Sequence, residues 1–205
     1  MAELETKRVL LRPFRMDDVK DLARICGDAL VMKYLGQRGA PMSREETEVA
    51  LRSIIAHWER HNFGRWAAVN KREGKLIGYC GLRSLGENAE LVYLLDHPYW
   101  GCGLATEMAL ASLTFGFGVR SFDYIVAMVK PDNMASRHVL EKVGMRYEQT
   151  VKFFRYMEQM NLAYPWSGER EDIDVAQYLI TKDMYRHQSA ERQNTKSSFV
   201  SLTAL

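Results

Sequence analysis

The run LVYLLDHPYWGCGLATEMAL, residues 91–110, limits the fold more than any other part of the chain. Its first residues are apolar and branched or aromatic, which suits a buried strand, and the residues from 104 onward are good helix formers. Between them Gly101 and Gly103 stand one residue apart. Glycine loses the most backbone freedom on ordering, so a pair at a strand-to-helix junction marks a backbone that another group approaches closely. A helix start also exposes unpaired N–H groups with a partial positive charge, and missing side chains let anionic oxygens reach them. The junction therefore reads as an anion site or as a tight helix–sheet turn.

Two phosphate loops do not fit it. A Walker loop needs Gly, four residues and then Gly-Lys-Ser/Thr, and this stretch has neither that spacing nor a lysine. A dinucleotide fingerprint needs Gly-x-Gly-x-x-Gly/Ala in an early βαβ unit. Here Thr106 holds the third small position, and the turn lies mid-chain after a hairpin.

The flanking chain predicts one mixed α/β domain of about seven strands. Arg8–Arg12 reads as a strand ended by Pro13, and Asp17 opens a helix with Val19, Leu22, Ile25 and Cys26 at helical spacing. Ser43 and Glu46 form a capping-box signature before Leu51, Ile54, Ile55 and Trp58, which share one helix face. Residues 65–70 and 75–82 read as a hairpin, and 90–96 as a further strand. The helix from 103 ends near Gly116, and 123–129 reads as a buried strand. Asn133 starts a helix that stops at Gly144, and MRYEQTVKFF and DIDVAQYLI close the fold as two strands. NLAYPWSGERED, between them, reads as a loop whose aromatics and charges could wall an acceptor site, or as a surface excursion held by Trp166. Residues 187–205 are polar and aperiodic, so the domain is expected over 7–186 with a mobile tail beyond it.

Composition narrows the function classes. In 205 residues, 47% are hydrophobic and 26% charged, as in a soluble globular domain, and the net charge of +2 is too mild to argue for nucleic acid. Three cysteines without metal-site spacing read as reduced thiols, and no apolar run suits a signal peptide or a membrane span, so the cytoplasm is the expected compartment. His57 and His61 stand one helical turn apart, but no third ligand follows them, so no metal is expected.

Four segments together resemble a known family. TKRVLLRPFRMDD, FGRWAAVNKREGKLIGYCGL, AELVYLLDHPYWGCGLATEMA and PDNMASRHVLEKVGMRYE occur in the order found in the GNAT superfamily of acyl-CoA-dependent N-acetyltransferases, within the branch typified by ribosomal-protein alanine acetyltransferases. The resemblance runs from about residue 7 to about 185. The superfamily motif is Gln/Arg-x-x-Gly-x-Gly/Ala, and Pro98 stands where Gln or Arg is usual, a departure common in this branch.

The resemblance implies a mostly antiparallel sheet with a splayed central strand pair and helices on both faces. It implies acetyl-CoA as co-substrate, with the N–H groups of Gly101, Cys102, Gly103, Leu104, Ala105 and Thr106 at its pyrophosphate. The backbone at Leu94, Leu95 and Asp96 would pair with the pantetheine arm, and the Leu94 N–H would polarise the thioester carbonyl. Glu90 matches a general base, acting through water, with His97 as a second candidate. Asn133 and Ser136 match positions near the sulfur, Ser136 as thiolate proton donor. Leu140 occupies the place where many members carry a catalytic tyrosine. Direct amine attack needs no acyl-enzyme, so the Cys102 thiol is not expected to react.

The implied reaction is acetyl transfer to a primary amine, with a protein N-terminal α-amine as the expected acceptor. A polyamine, amino acid or antibiotic amine, or a catalytically silent CoA-binding module, are the alternatives. Neither a monomer nor a homodimer is favoured by the sequence.

Overall fold

A computed structural model of the chain describes residues 2–35, 39–159 and 172–202, with side chains described as far as 192 in the last segment. The expected loop 161–172 falls outside the described residues apart from Asp172. One sheet of eight strands organises the rest: β1 (Leu4–Glu5), β2 (Val9–Arg12), β3 (Arg65–Asn70), β4 (Leu76–Leu85), β5 (Asn88–Leu95), β6 (Tyr124–Val129), β7 (Arg146–Lys152) and β8 (Asp174–Thr181), in the order β1-β2-β3-β4-β5-β6-β8-β7. The strand beyond the expected seven is β1, two residues long and too short to leave a periodic signal.

Among the described residues, seven α-helices accompany the sheet: α1 (Val19–Cys26), α2 (Ala29–Met32), α3 (Arg44–His61), α4 (Leu104–Gly118), α5 (Met134–Lys142), α6 (Phe153–Gln159) and α7 (Lys182–Leu202). The capping box at α3 forms as its sequence predicts: the Glu46 N–H donates to Ser43 Oγ at 3.1 Å, and the Ser43 N–H donates to Glu46 Oε2 at 2.7 Å. That cap fixes the start of α3 and turns Leu51, Ile54 and Trp58 inward.

The two sheet faces are covered differently. On one face α4 lies across β4 and β6, with Ser112 against Cys80 and Gly116 against Leu82 and Ile125. Trp58, Trp66 and Phe115 form a chain of edge-to-face rings, 5.1 and 5.0 Å between centroids, that joins α3, β3 and α4. Such contacts add about 0.5–1.5 kcal/mol each beyond area burial. On the opposite face Tyr79 meets Phe14 and Arg65, and α6 packs Phe153, Phe154 and Met157 over Val175.

Two expectations change at the C-terminal end. MRYEQTVKFF is a strand only to Lys152; the two phenylalanines open α6 instead, because both bury against β8. The polar stretch expected as a tail continues β8 as α7. Its anchors lie on either side of the expected boundary: Tyr185 stacks on Phe117 at 4.9 Å and meets Thr114 Oγ1 at 2.8 Å, and Gln188 donates to the Gly144 carbonyl at 3.0 Å.

His57 is a structural histidine. The Ser84 N–H donates to its Nε2 at 3.1 Å and its Nδ1 lies 3.0 Å from the Phe63 carbonyl, so both ring nitrogens are spent inside the protein. Among the described residues no three His, Cys, Asp or Glu side chains group closely enough to hold a metal ion. Burial, reinforced by the neighbouring His61, lowers the His57 pKa from 6.5 to about 4. The unfolded chain therefore takes up a proton below pH 6.5 that the folded chain refuses, and stability falls as the pH drops from 6.5 towards 4. Urea midpoints should show a loss of about 1–2 kcal/mol between pH 7.5 and 5 that a His57→Gln variant lacks. An equal loss in the variant would assign the effect to other groups.

Candidate functional site

The site begins where the sheet stops being continuous. β5 and β6 run parallel and pair only at Ala89↔Ile125 and Glu90↔Val126, after which they diverge. Every other neighbouring pair in the sheet is antiparallel. The edge of β5 from Leu91 onward thus faces a gap.

Register decides which peptide groups open onto that gap. The Leu82 N–H donates to Gly64 O on the β3 side, and the Asp96 N–H donates to Ile77 O on the β4 side. Backbone groups alternate sides along a strand. With Tyr79 opposite Leu94 and Gly81 opposite Val92, the peptide groups of Val92, Leu94 and Asp96 point at β4. Those of Tyr93 and Leu95 point into the gap. This corrects the expected geometry: the Leu94 and Asp96 N–H groups are committed to the ladder, and the N–H groups that face the gap are those of Leu95, already expected, and Tyr93. The Leu95 carbonyl is itself engaged, accepting the Trp100 indole N–H at 2.6 Å. His97 packs edge-on against that indole at 4.8 Å.

The glycine turn follows directly. Gly101 and Gly103 have φ of +71° and +78°, the left-handed region that side chains disfavour, and both are exposed. Gly103 is the N-cap of α4 and has no side chain to offer, so the first turn is left without a cap. Among the described residues, the N–H groups from Gly101 to Thr106 have no acceptor in the protein. Cys102 is exposed and its thiol donates to the Trp100 carbonyl at 3.3 Å, whereas Cys26 and Cys80 are buried and pushed up to about 11 and 12.

Across the gap, α5 brings Ser136. Asn133 caps this helix, its Oδ1 accepting the Ser136 N–H at 3.1 Å, so Asn133 orients the first turn. The Ser136 hydroxyl lies 2.7 Å from the Tyr93 phenol, which also donates to the Ser136 carbonyl at 3.1 Å. Burial pushes the Tyr93 pKa well up, so the phenol stays protonated. The sequence leaves Tyr93 as open to packing as to function; a tyrosine in an apolar strand carries no signal of the helix start it will face. Leu140 is buried and offers no phenol from α5.

Glu90 sits at the point of divergence but differs from the expected base in its surroundings. It is 4% exposed, and Arg83 on β4 donates to its Oε2 through both Nε, at 3.0 Å, and Nη2. The cross-strand register Arg83↔Glu90 makes the pair. Asp96 is likewise buried and bound by Arg24 of α1 at 2.7 Å. Both carboxylates are therefore already balanced by a guanidinium.

Residues 8–146 match the family model described as an acetyltransferase (GNAT) domain. The chain is 40% identical over 164 residues to the uncharacterized protein YkkB of Bacillus subtilis, covering 74% of this chain and 89% of YkkB. A GNAT-family acetyltransferase structure from Bacillus anthracis is similar with a TM-score of 0.71 at 24% identity, over 89% of this chain and 99% of its own. A ribosomal L7/L12 α-N-protein acetyltransferase in complex with coenzyme A has a TM-score of 0.69 at 16% identity, over 88% of this chain and 98% of its own. At these identities the structural likeness speaks for the fold.

The left-handed turn has an energetic signature. Gly103→Ala should lower the unfolding free energy by about 1–2 kcal/mol, because a Cβ is strained at this φ although only Arg8 lies near it. Gly118→Ala, at the open helical end of α4, should instead leave stability unchanged or raise it by up to about 1 kcal/mol. Equal effects of the two in urea denaturation would remove the backbone argument.

Proposed function

The chain belongs to the GNAT acetyltransferases, and we propose that it transfers an acetyl group from acetyl-CoA to a protein N-terminal α-amine by direct attack in a ternary complex. The observation that carries this reading is the uncapped, left-handed glycine turn at the mouth of the β5–β6 gap, with a hydroxyl pair on the far side. A pyrophosphate fits that turn: its oxygens find unpaired N–H groups from Gly101 to Thr106, a favourable helix end and no side chain in the way.

Acetyl-CoA supplies an acyl thioester that an amine can attack. The N–H groups of Tyr93 and Leu95 are placed to pair with an extended arm in the gap, and one of them suits the charge that develops on the carbonyl oxygen. A preorganised donor of that kind contributes about 3–4 kcal/mol. Tyr93, held protonated by burial, donates towards Ser136 and leaves the Ser136 proton free to turn to the departing sulfur. Asn133 fixes the peptide that carries Ser136.

The acceptor follows from proton arithmetic. An α-amine, with pKa of about 7.7–8.0, is about one-tenth neutral at pH 7, whereas a lysine amine near about 10.4 is neutral only ~0.04% of the time. Glu90, the carboxylate at the fork, is tied to Arg83, so an amine that deprotonates readily by itself, with water as carrier, suits this site better than one that needs a strong base.

A thiol-release assay over peptides with free α-amines, lysine side chains and polyamines tests the acceptor. Peptides beginning with Ala, Ser or Met should react fastest; reaction confined to lysine or polyamine amines would overturn it, and release with none would favour a silent CoA-binding module. In the same assay Ser136→Ala should lower turnover about a hundredfold while calorimetric affinity for acetyl-CoA stays within about threefold. Unchanged turnover would take the proton-donor role from Ser136.

A further inference from the structure

The turn between β1 and β2 reaches the glycine loop. The Thr6 N–H donates to the Val9 carbonyl and the Val9 N–H to Thr6 Oγ1, both at 2.9 Å, closing a tight turn that carries Arg8. The Arg8 backbone is held on both sides: its N–H donates to Glu107 Oε1 at 2.8 Å, and its carbonyl accepts the Lys71 N–H at 3.0 Å. Its side chain then follows the loop. Nε donates to Glu107 Oε2 at 2.7 Å and Nη1 donates to the Cys102 carbonyl at 2.8 Å. Nη2 has no acceptor among the described residues and lies 3.6 Å from the position a Cβ on Gly103 would take.

This guanidinium is used unlike those of Arg12 and Arg83. Arg12 spends both terminal nitrogens on Asp18, and Arg83 closes on Glu90 with Nε and Nη2. Arg8 spends one terminal nitrogen on a loop carbonyl, keeps the other for whatever lies over the α4 start, and is 43% exposed at its side chain. Glu107 is the clamp. Burial alone would raise its carboxyl, but hydrogen bonds from Thr6 and Arg8 outweigh that and hold it below the usual carboxylate range. The loop itself, residues 98–106, contains no lysine or arginine.

Resting on the reading of this loop as the CoA site, we infer that Arg8 is a ligand of the CoA pyrophosphate, donating from Nη2 to an oxygen that the loop N–H groups hold from the other side. A preset cation here supplies the countercharge that the loop lacks. It also makes donor binding depend on the N-terminal hairpin, which the glycine motif does not include.

Titration calorimetry with CoA and with 3′-dephospho-CoA, on the full chain and on Arg8→Gln and Arg8→Lys, tests the assignment. Arg8→Gln should weaken both ligands equally, by about 10- to 100-fold, the weight of a charge-assisted hydrogen bond. Arg8→Lys should recover part of the loss, and added salt should weaken CoA binding less steeply in Arg8→Gln than in the wild type. Affinity within twofold of wild type would overturn the contact, and a loss that vanishes with 3′-dephospho-CoA would move Arg8 to the wrong phosphate. Equal losses in both variants with the wild-type salt slope would reduce Arg8 to scaffold. Failure of the loop reading itself would differ from all of these, because the wild type would then bind neither ligand.

Discussion

A two-residue parallel pairing is the constraint on which the rest of this molecule depends. Had β5 and β6 stayed paired beyond Glu90 and Val126, the sheet would be continuous and no strand edge would open in its middle. The break is possible because each strand is held firmly on its other side: β5 by eight registered positions on β4, and β6 by six on β8. Helix α4 then bridges the fork through Gly116, which lies against Leu82 on β4 and Ile125 on β6. The gap is thus framed by two strands that are each paired along their far side.

Charge is handled by one repeated device. Asp18, Glu90 and Asp96 are all buried, and each is matched to an arginine from another element or strand: Arg12, Arg83 and Arg24. Removing Arg12 or Arg83 would leave a buried carboxylate uncompensated, at a cost of about 3–5 kcal/mol. These pairs spend their charge inside the sheet, whereas Arg8 at the glycine loop keeps Nη2 without an acceptor among the described residues.

Much of the fold was legible because its signals are local. The Ser43–Glu46 box, the Asn133 cap, the glycine turn and the apolar face of α3 each depend on residues a few positions apart. The parts that were not legible depend on distant partners. Phe153 and Phe154 read as strand but become helix because β8 offers them a surface. The polar C-terminal stretch from 187 reads as a tail because Gln188 finds Gly144, next to the Tyr185–Phe117 stack, only in three dimensions. At the site, strand orientation was not legible: a run of apolar letters does not say which peptide groups face the gap, and of the expected Leu94, Leu95 and Asp96 only Leu95 faces it, beside Tyr93. Arg8, about ninety residues before the loop it touches, left no local trace.

Trp100 gives the open strand edge a polarity. An unprotected edge inside a sheet invites any extended chain to zip onto it, and many proteins guard such edges against self-association. Here the indole N–H plugs the Leu95 carbonyl, so the outer end of the gap presents a donor without its neighbouring acceptor. A foreign strand, which needs both in alternation, gains an incomplete ladder at its first step, whereas a ligand with isolated amide groups loses nothing. One side chain at the rim thereby withdraws the outermost acceptor of the gap and leaves the Leu95 N–H as a donor without its usual neighbour.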